Sequence, residues 1–221
     1  MKKSEKGKQW LNIREVMNDY GIEEIDFKVR KIEEYVIMMA EKREWAGLTS
    51  RNMIKRIEDA VVQSIMVVGA ARCEEKDVVE IGGGGGVLGV VVSIVCPKWA
   101  VTMTERSSRK SAFLAEVVGK IGIENAGVFH GDARLLAGKK EFDLCLSRAS
   151  GRLVDLAPIA LDLLRTGGRY IALKQKDVEC EVDEAMMAIK AGGGALEEAG
   201  GVKMETEGPQ GGVSLVVIGK S

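Results

Sequence analysis

Hydrophobic residues recur with two different periods along this chain. Over the first third they return every three or four positions, the spacing of one helical face. In IDFKVRKIEEYVIMMAEK the apolar face carries Ile25, Val29, Ile32, Tyr35, Val36 and Met39. In SRNMIKRIEDAVVQSIMVV it carries Ile54, Ile57, Val61, Ile65 and Val68, with Thr49 or Ser50 as the N-cap. A weaker helical pattern covers 9–19 and stops at Gly21. Beyond Arg72 the period shortens. β-Branched runs at 77–81, 100–104, 126–130, 142–147 and 168–173 alternate with helical stretches near 87–96, 107–121, 152–165 and 179–191. Alternation at this spacing predicts right-handed βαβ units and a parallel, doubly wound sheet. Two last runs, GVKMET (201–206) and GVSLVVIG (212–219), are separated by a short stretch holding Gly208 and Pro209. That is too short for a helical crossover, so they are expected to pair as an antiparallel hairpin. The expectation is an α/β fold with a seven-stranded, mostly parallel sheet. A helical cap over 1–72 precedes an α/β domain over 73–221. AGGG (191–194) and the other glycine pairs read as loop punctuation.

Composition narrows the function classes. The 221 residues are 46% apolar and 29% charged, with a formal net charge of −1. No global positive field draws in nucleic acid, so any basic surface is local. Two runs qualify. Lys42, Arg43, Arg51, Lys55 and Arg56 face only Glu44 within 42–56. Arg148, Arg152, Arg165, Arg169, Lys174 and Lys176 face Asp155 and Asp162 within 148–176. If both runs flank a ligand cleft they make a phosphate-binding rim. Trp45, inside the first run, is expected to pack in the core. Cys73, Cys96, Cys145 and Cys180 are scattered with no paired spacing, which reads as reduced thiols in a cytoplasmic protein without a metal site. The terminus MKKSEKGKQW lacks the apolar stretch of a signal peptide. The longest apolar run, 87–95, is far below the ~20 residues of a membrane helix.

The candidate chemistry lies at KDVVEIGGGGGVLGVVVSIV (76–95), where five glycines stand between the first strand and a helix. Open α/β sheets bind ligands at this carboxyl edge. Gly84, Gly86 and Gly89 fit the G-x-G-x-x-G pattern, and Glu105 ends the second strand where a ribose-binding acid belongs. Nicotinamide and S-adenosylmethionine enzymes both hold a ribose there, so Glu105 does not separate them. Asp132 follows the third strand, where an acid or its neighbouring backbone can meet an adenine amino group. The C-terminal hairpin favours a methyltransferase, because a dinucleotide fold ordinarily continues with parallel strands. Glu80 can hold the loop or a methionine amine. Arg148 starts a loop on the ligand edge and can orient cofactor or guanine. His130, the only histidine, is a strand-end residue with no fixed acid partner.

Several stretches resemble the small-subunit (16S) rRNA methyltransferase G family, also called glucose-inhibited division protein B. They are DVVEIGGGGGVLGVVVSI, TERSSRKSAFLAEVVGKIGIENAGV, FDLCLSRASGRLVDLAPIALDLLRTGGRYIALK, SLVVIGK and, in the cap, EWAGLTS. The resemblance implies a class I S-adenosylmethionine-dependent (Rossmann-like) fold and methyl transfer to N7 of a guanine in 16S rRNA. The partner it implies is 16S rRNA or the 30S subunit, not a membrane. Its cofactor contacts would fall on Gly82, Val87, Ala133, Arg134 and Arg148, beside Gly84, Glu105 and Asp132 from the loop reading. This chain departs from the family pattern at several points. Leu88 stands for Pro, Asp132-Ala133-Arg134 for Arg-x-Glu, Ala60 to Ser64 (AVVQS) for His-x-x-Asp-Ser, and Gln175 for Gly; the arginine before the last strand is replaced near Val213. Guanine N7 carries a lone pair and no proton, so the reaction needs no general base and positioning is the main lever. No catalytic residue and no metal are therefore expected. The alternatives are a small-molecule methyltransferase, a nicotinamide-binding oxidoreductase and a non-catalytic RNA-binding module.

Overall fold

The computed structural model describes residues 13–48, 57–71, 76–148, 150–175, 178–202 and 213–221. Its centre is a seven-stranded sheet of order β3-β2-β1-β4-β5-β7-β6. The strands are β1 (Lys76–Ile81), β2 (Trp99–Glu105), β3 (Ala126–His130), β4 (Phe142–Arg148), β5 (Leu164–Gln175), β6 (Gly194–Val202) and β7 (Val213–Lys220). β1 to β5 pair in parallel, while β7 runs antiparallel to both β5 and β6. This is the expected sheet, with the hairpin inserted so that β7 lies inside and β6 forms the edge.

Helices cover both faces. They are α1 (13–19), α2 (Ile25–Ala46), α3 (Ile57–Ala71), α4 (Val87–Val95), α5 (Ser108–Ile121), α6 (Leu153–Leu163) and α7 (Glu179–Ala191). Successive strand residues point to opposite faces. Val78, Leu144, Ile171 and Val217 join the core under α1 to α5, and Val79, Cys145, Tyr170 and Ile218 join the core under α6 and α7. α4 is VLGVVVSIV, a β-branched run that intrinsic preference would make a strand. All nine of its residues are buried. Each aliphatic side chain contributes roughly 1.5–3 kcal/mol on burial, so packing overrides propensity. The cap shares the first core through Val29, Ile32, Tyr35, Met39, Val61 and Ile65. Among the described residues no helix is long and apolar enough to cross a membrane.

Several expectations need correction. The sixth strand is described over Gly194–Val202, starting seven residues before the expected run 201–206, of which 203–206 lie outside the described residues. Its sequence GALEEAGGV has almost no β-branched residue, and it forms because the interior strand β7 offers a complete ladder. The glycines at 194, 200 and 201 therefore sit in a strand rather than in loops. The helix expected near 152–165 is present as Leu153–Leu163, and Leu164 already belongs to β5. Trp45 is not in the core. It is 53% exposed, with the Lys42 ammonium 5.6 Å from its ring. The basic run over 148–176 does not form one surface. Arg165 pairs with Asp143 and Arg169 with Glu197, both from the first half of β5, away from the ligand edge. Most of the other basic run, and the proposed N-cap at Thr49 or Ser50, lie outside the described residues.

Candidate functional site

The carboxyl ends of β1, β2, β3 and β4 open onto one cavity of about 530 Å³. Such a volume lies within the ~300–1,000 Å³ of small-molecule sites. All eight residues singled out from the sequence line it: Gly82, Gly84, Val87, Glu105, Asp132, Ala133, Arg134 and Arg148.

The glycine loop is a tethered turn. Gly83 N–H donates to the Thr104 carbonyl at 2.8 Å, and Gly86 N–H donates to the Gly83 carbonyl at 2.7 Å. At Gly84 the backbone has φ +56°, and an added Cβ would meet nothing closer than the Gly82 carbonyl at 3.8 Å. The missing side chain there leaves room for a ligand rather than for protein. Gly86 differs: at φ +87° it starts α4, and a Cβ would sit 2.6 Å from Leu114 and 2.8 Å from Val90. One glycine thus serves the cavity and the other serves packing.

Glu105 is fixed by two backbone donors. Gly84 N–H reaches one carboxylate oxygen at 2.9 Å, and Ser107 N–H reaches the other at 2.7 Å. Each oxygen keeps a lone pair for a ligand hydroxyl. Asp132 caps the short 3-10 turn over Ala133–Leu136, accepting from the Arg134 N–H at 3.0 Å and from its guanidinium at 3.0 Å. Ala133 is buried on the cavity wall. His130 is exposed, its Nε2 3.2 Å from the Arg106 carbonyl, and it stands opposite Glu105 in the register of β2 and β3. It does not line the cavity.

Glu80 is the least comfortable group. It is 2% exposed, lines the cavity, and its Oε2 has no hydrogen-bond partner. Burial pushes its carboxyl up to about 8, and Glu105 pushes the same way against the Gly89 amide and Arg148. Arg148, at the end of β4, donates to Gln63 Oε1 at 3.3 Å. Burial pulls its pKa down, against the pull of Tyr35 and Glu80.

The cap supplies parts that sequence reasoning had assigned to packing or left unassigned. Tyr35 Oη donates to the Gly85 carbonyl at 2.7 Å, and Ser64 Oγ lies within hydrogen-bond reach of the Ala60 carbonyl at 2.8 Å and the Val87 carbonyl at 3.1 Å. Met39 and Leu48 line the cavity. The only sequence signal was a polar tip or hydroxyl on an otherwise apolar helix face. Near the end of β5, Lys174 is buried and donates to the Gly151 carbonyl and to Glu181, each at 2.6 Å. Among the described residues no cluster of His, Cys, Asp or Glu could hold a metal ion.

The donor set fits S-adenosylmethionine. A glycine cradle, a carboxylate at the end of β2, a backbone turn after β3, a buried carboxyl with one unpartnered oxygen and a guanidinium are groups suited to its ribose, adenine, amine and carboxylate. Known proteins agree. The family model for rRNA small subunit methyltransferase G (GidB) matches residues 28–203. The "Ribosomal RNA small subunit methyltransferase G" of Thermoanaerobacter pseudethanolicus is 29% identical over 195 residues, covering 84% of this chain and 80% of that protein. Its counterpart in Thermobifida fusca is 31% identical over 176 residues, covering 75% and 74%. Among solved structures, M. jannaschii TYW2 in complex with AdoMet superposes with a TM-score of 0.57 at 14% identity, covering 77% of this chain and 76% of that one. This last likeness shows the fold alone. With the family match spanning most of its length, the chain belongs to the rRNA small subunit methyltransferase G family, enzymes that use S-adenosylmethionine.

Proposed function

We propose that this chain transfers a methyl group from S-adenosylmethionine to N7 of a guanine in 16S rRNA, presented as the 30S subunit in the cytoplasm. The observation that carries the reading is the convergence of all eight candidate residues on one cavity at the carboxyl edge. In this reading residues 1–72 form a helical cap and 73–221 the methyltransferase domain.

The cofactor supplies an electrophilic methyl group on a sulfonium. The protein's part is to bind and orient. Gly82 and Gly84 let backbone approach the ligand, with Val87 closing the loop. Glu105 accepts hydrogen bonds from the ribose hydroxyls. The turn of Asp132, Ala133 and Arg134 meets the adenine, and Arg148 and Glu80 face the amino-acid end. Guanine N7 attacks through an in-plane lone pair, so no side chain has to remove a proton. Arg106, Lys110, Arg134 and Arg148 line the cavity beside Glu80, Glu105, Asp132 and Asp155, and Lys110, which has no acid paired with it among the described residues, supports a phosphate-bearing substrate. The exposed Trp45 beside Lys42 supports the same class, since aromatic rings stack on bases.

The test is tritiated methyl transfer from S-adenosylmethionine to 30S subunits, followed by mapping of the modified base. Label in 16S rRNA at a guanine N7 is the expected result. Cofactor binding by calorimetry without any incorporation into rRNA would turn the reading to a small-molecule acceptor.

A further inference from the structure

One wall of the cavity comes from the turn after β4 and from α6, through Ser150, Gly151, Asp155, Leu156 and Ile159. Helix α6 begins without a side-chain cap. Its N-cap residue is Arg152, which has no acceptor to offer where Ser, Thr, Asp or Asn would take a free N–H. The acceptor comes from another helix. Glu181 of α7 takes the Leu153 N–H at 2.5 Å on one carboxylate oxygen. The same oxygen takes the Lys174 ammonium at 2.6 Å, and that ammonium also donates to the Gly151 carbonyl at 2.6 Å. One ion pair thus holds the turn at Gly151 and at Leu153. Its other tether is Ser150, whose Oγ donates to the Ile81 carbonyl at 2.9 Å. Gly151 has φ +146°, a backbone open to glycine and to few other residues, so the turn has freedom that these bonds remove.

We propose that Glu181 is a positioning residue for the acceptor base: through the buried Lys174 ammonium and the Leu153 N–H it fixes the turn over 150–152 as the wall against which the base is set for attack on the methyl group. The proposal rests on the reading of the chain as an rRNA methyltransferase. The groups suited to ribose and adenine stand at the ends of β2 and β3, and the strand order puts β4 on the other side of β1 from them. The turn after β4 is therefore the wall left for the acceptor. Methyl transfer without a general base depends on alignment, and a displacement of about 1 Å can cost roughly a hundredfold in rate. A buried ion pair need not add stability, since apolar residues of similar volume often do as well. The geometry here answers a different need, because both partners aim a hydrogen bond at the same turn. It also takes Lys174 out of the phosphate-binding cations, since its ammonium is committed to Gly151 and Glu181.

The double variant Lys174→Met with Glu181→Leu separates alignment from stability. Replacing both partners by apolar residues leaves no unpaired buried charge, so the thermal midpoint should stay close to the parent's, whereas Glu181→Leu alone should lower it. Tritiated methyl transfer to 30S subunits then reads the alignment. In the double variant kcat should fall about tenfold to a hundredfold. KM for 30S subunits, and S-adenosylmethionine affinity by calorimetry, should both stay within about twofold of the parent. A merely structural pair would give back kcat together with stability, so parental kcat in the folded double variant would overturn the proposal. A raised KM with unchanged kcat would overturn it as well, because Lys174 would then be touching RNA. So would a loss of cofactor affinity that matches the loss of kcat. Should the double variant not fold, Glu181→Gln is read in the same three ways. Those outcomes leave the rRNA reading standing. A parent protein that binds S-adenosylmethionine but transfers no label to 30S subunits would overturn that reading and this role together.

Discussion

At the scale of single residues, the cavity is shaped by what is missing and strained by what is buried. Gly84 illustrates the first. A Cβ there would point into open space, and φ +56° disfavours a branched residue. Gly84→Val is therefore expected to leave the sheet folded, by circular dichroism, and to lower S-adenosylmethionine affinity by about a hundredfold or more in calorimetry. Unchanged affinity in the folded variant would remove the loop from the site. Glu80 illustrates the second. In the folded chain burial raises its carboxyl from 4.5 to about 8. The folded state thus holds this proton more tightly than the unfolded state, and the stability tied to it is fully present below the ordinary value. It is lost as pH rises towards and through about 8. Glu58, raised by burial to about 6, contributes with the same sign lower in the range. Cofactor-free protein should therefore show a falling thermal midpoint from about pH 6.5 to 8.5, and Glu80→Gln should flatten most of that slope. A parent slope retained in Glu80→Gln would assign the effect to another group. The line-up of glycines and Glu105 was legible because strand–loop–helix order places them. The burial of Glu80 was not, because it depends on Gly89 and Met103 closing around it from two other elements.

At the scale of elements, the cap helices are part of the ligand site. The apolar face of α2 was legible from its period, and Val29, Ile32, Tyr35 and Met39 are indeed buried. Periodicity reports burial, however, and says nothing of where a hydroxyl at the end of a buried ring finds its acceptor. Tyr35 finds it 50 residues away, at Gly85 in the loop itself. Tyr35→Phe keeps the ring and removes one hydrogen bond, a change worth about 0.5–1.5 kcal/mol. If that bond pre-organises the loop, cofactor affinity should fall about three- to tenfold with the fold intact. A folded Tyr35→Phe variant with parental affinity would show that the bonds to Thr104 and Glu105 hold the loop alone. β6 gives the complementary lesson. Its residues carry no strand signature, and only the register with β7 makes them a strand. Glu197 and Glu198 on that edge also discourage pairing with a further strand.

At the scale of the whole molecule, a net charge of −1 has to be reconciled with an RNA substrate. The resolution lies in where charge is left over rather than in its sum. Sequence clustering pointed to 148–176, but folding spreads that run along β5 and pairs Arg165 and Arg169 with acids. A linear count of charges cannot see partners such as Asp143 and Glu197 that arrive from other strands. Of the four cations that line the cavity, Arg106, from the turn after β2, and Arg134 share Asp132, while Lys110, in the first turn of α5, has no acid paired with it among the described residues. Lys110 there opposes the positive end of the helix dipole, a placement that costs stability and so argues for a use. Each such contact to an RNA phosphate releases a counter-ion, and association should weaken with salt by a log–log slope of about −0.7 to −0.9 per phosphate engaged. For 30S subunits, reversing Arg106 and Lys110 to Glu should flatten that slope by about two such steps, whereas reversing Arg165 and Arg169 should leave it where it was. Arg51, Lys55 and Arg56, the cap run outside the described residues, belong in the same series, since sequence alone opposes them only with Glu44. Filter binding across a salt series reads all three variants against the parent. If the Arg165/Arg169 variant flattened the slope and the Arg106/Lys110 variant did not, the RNA would lie across the far half of the sheet, and the cavity mouth would not be its docking face.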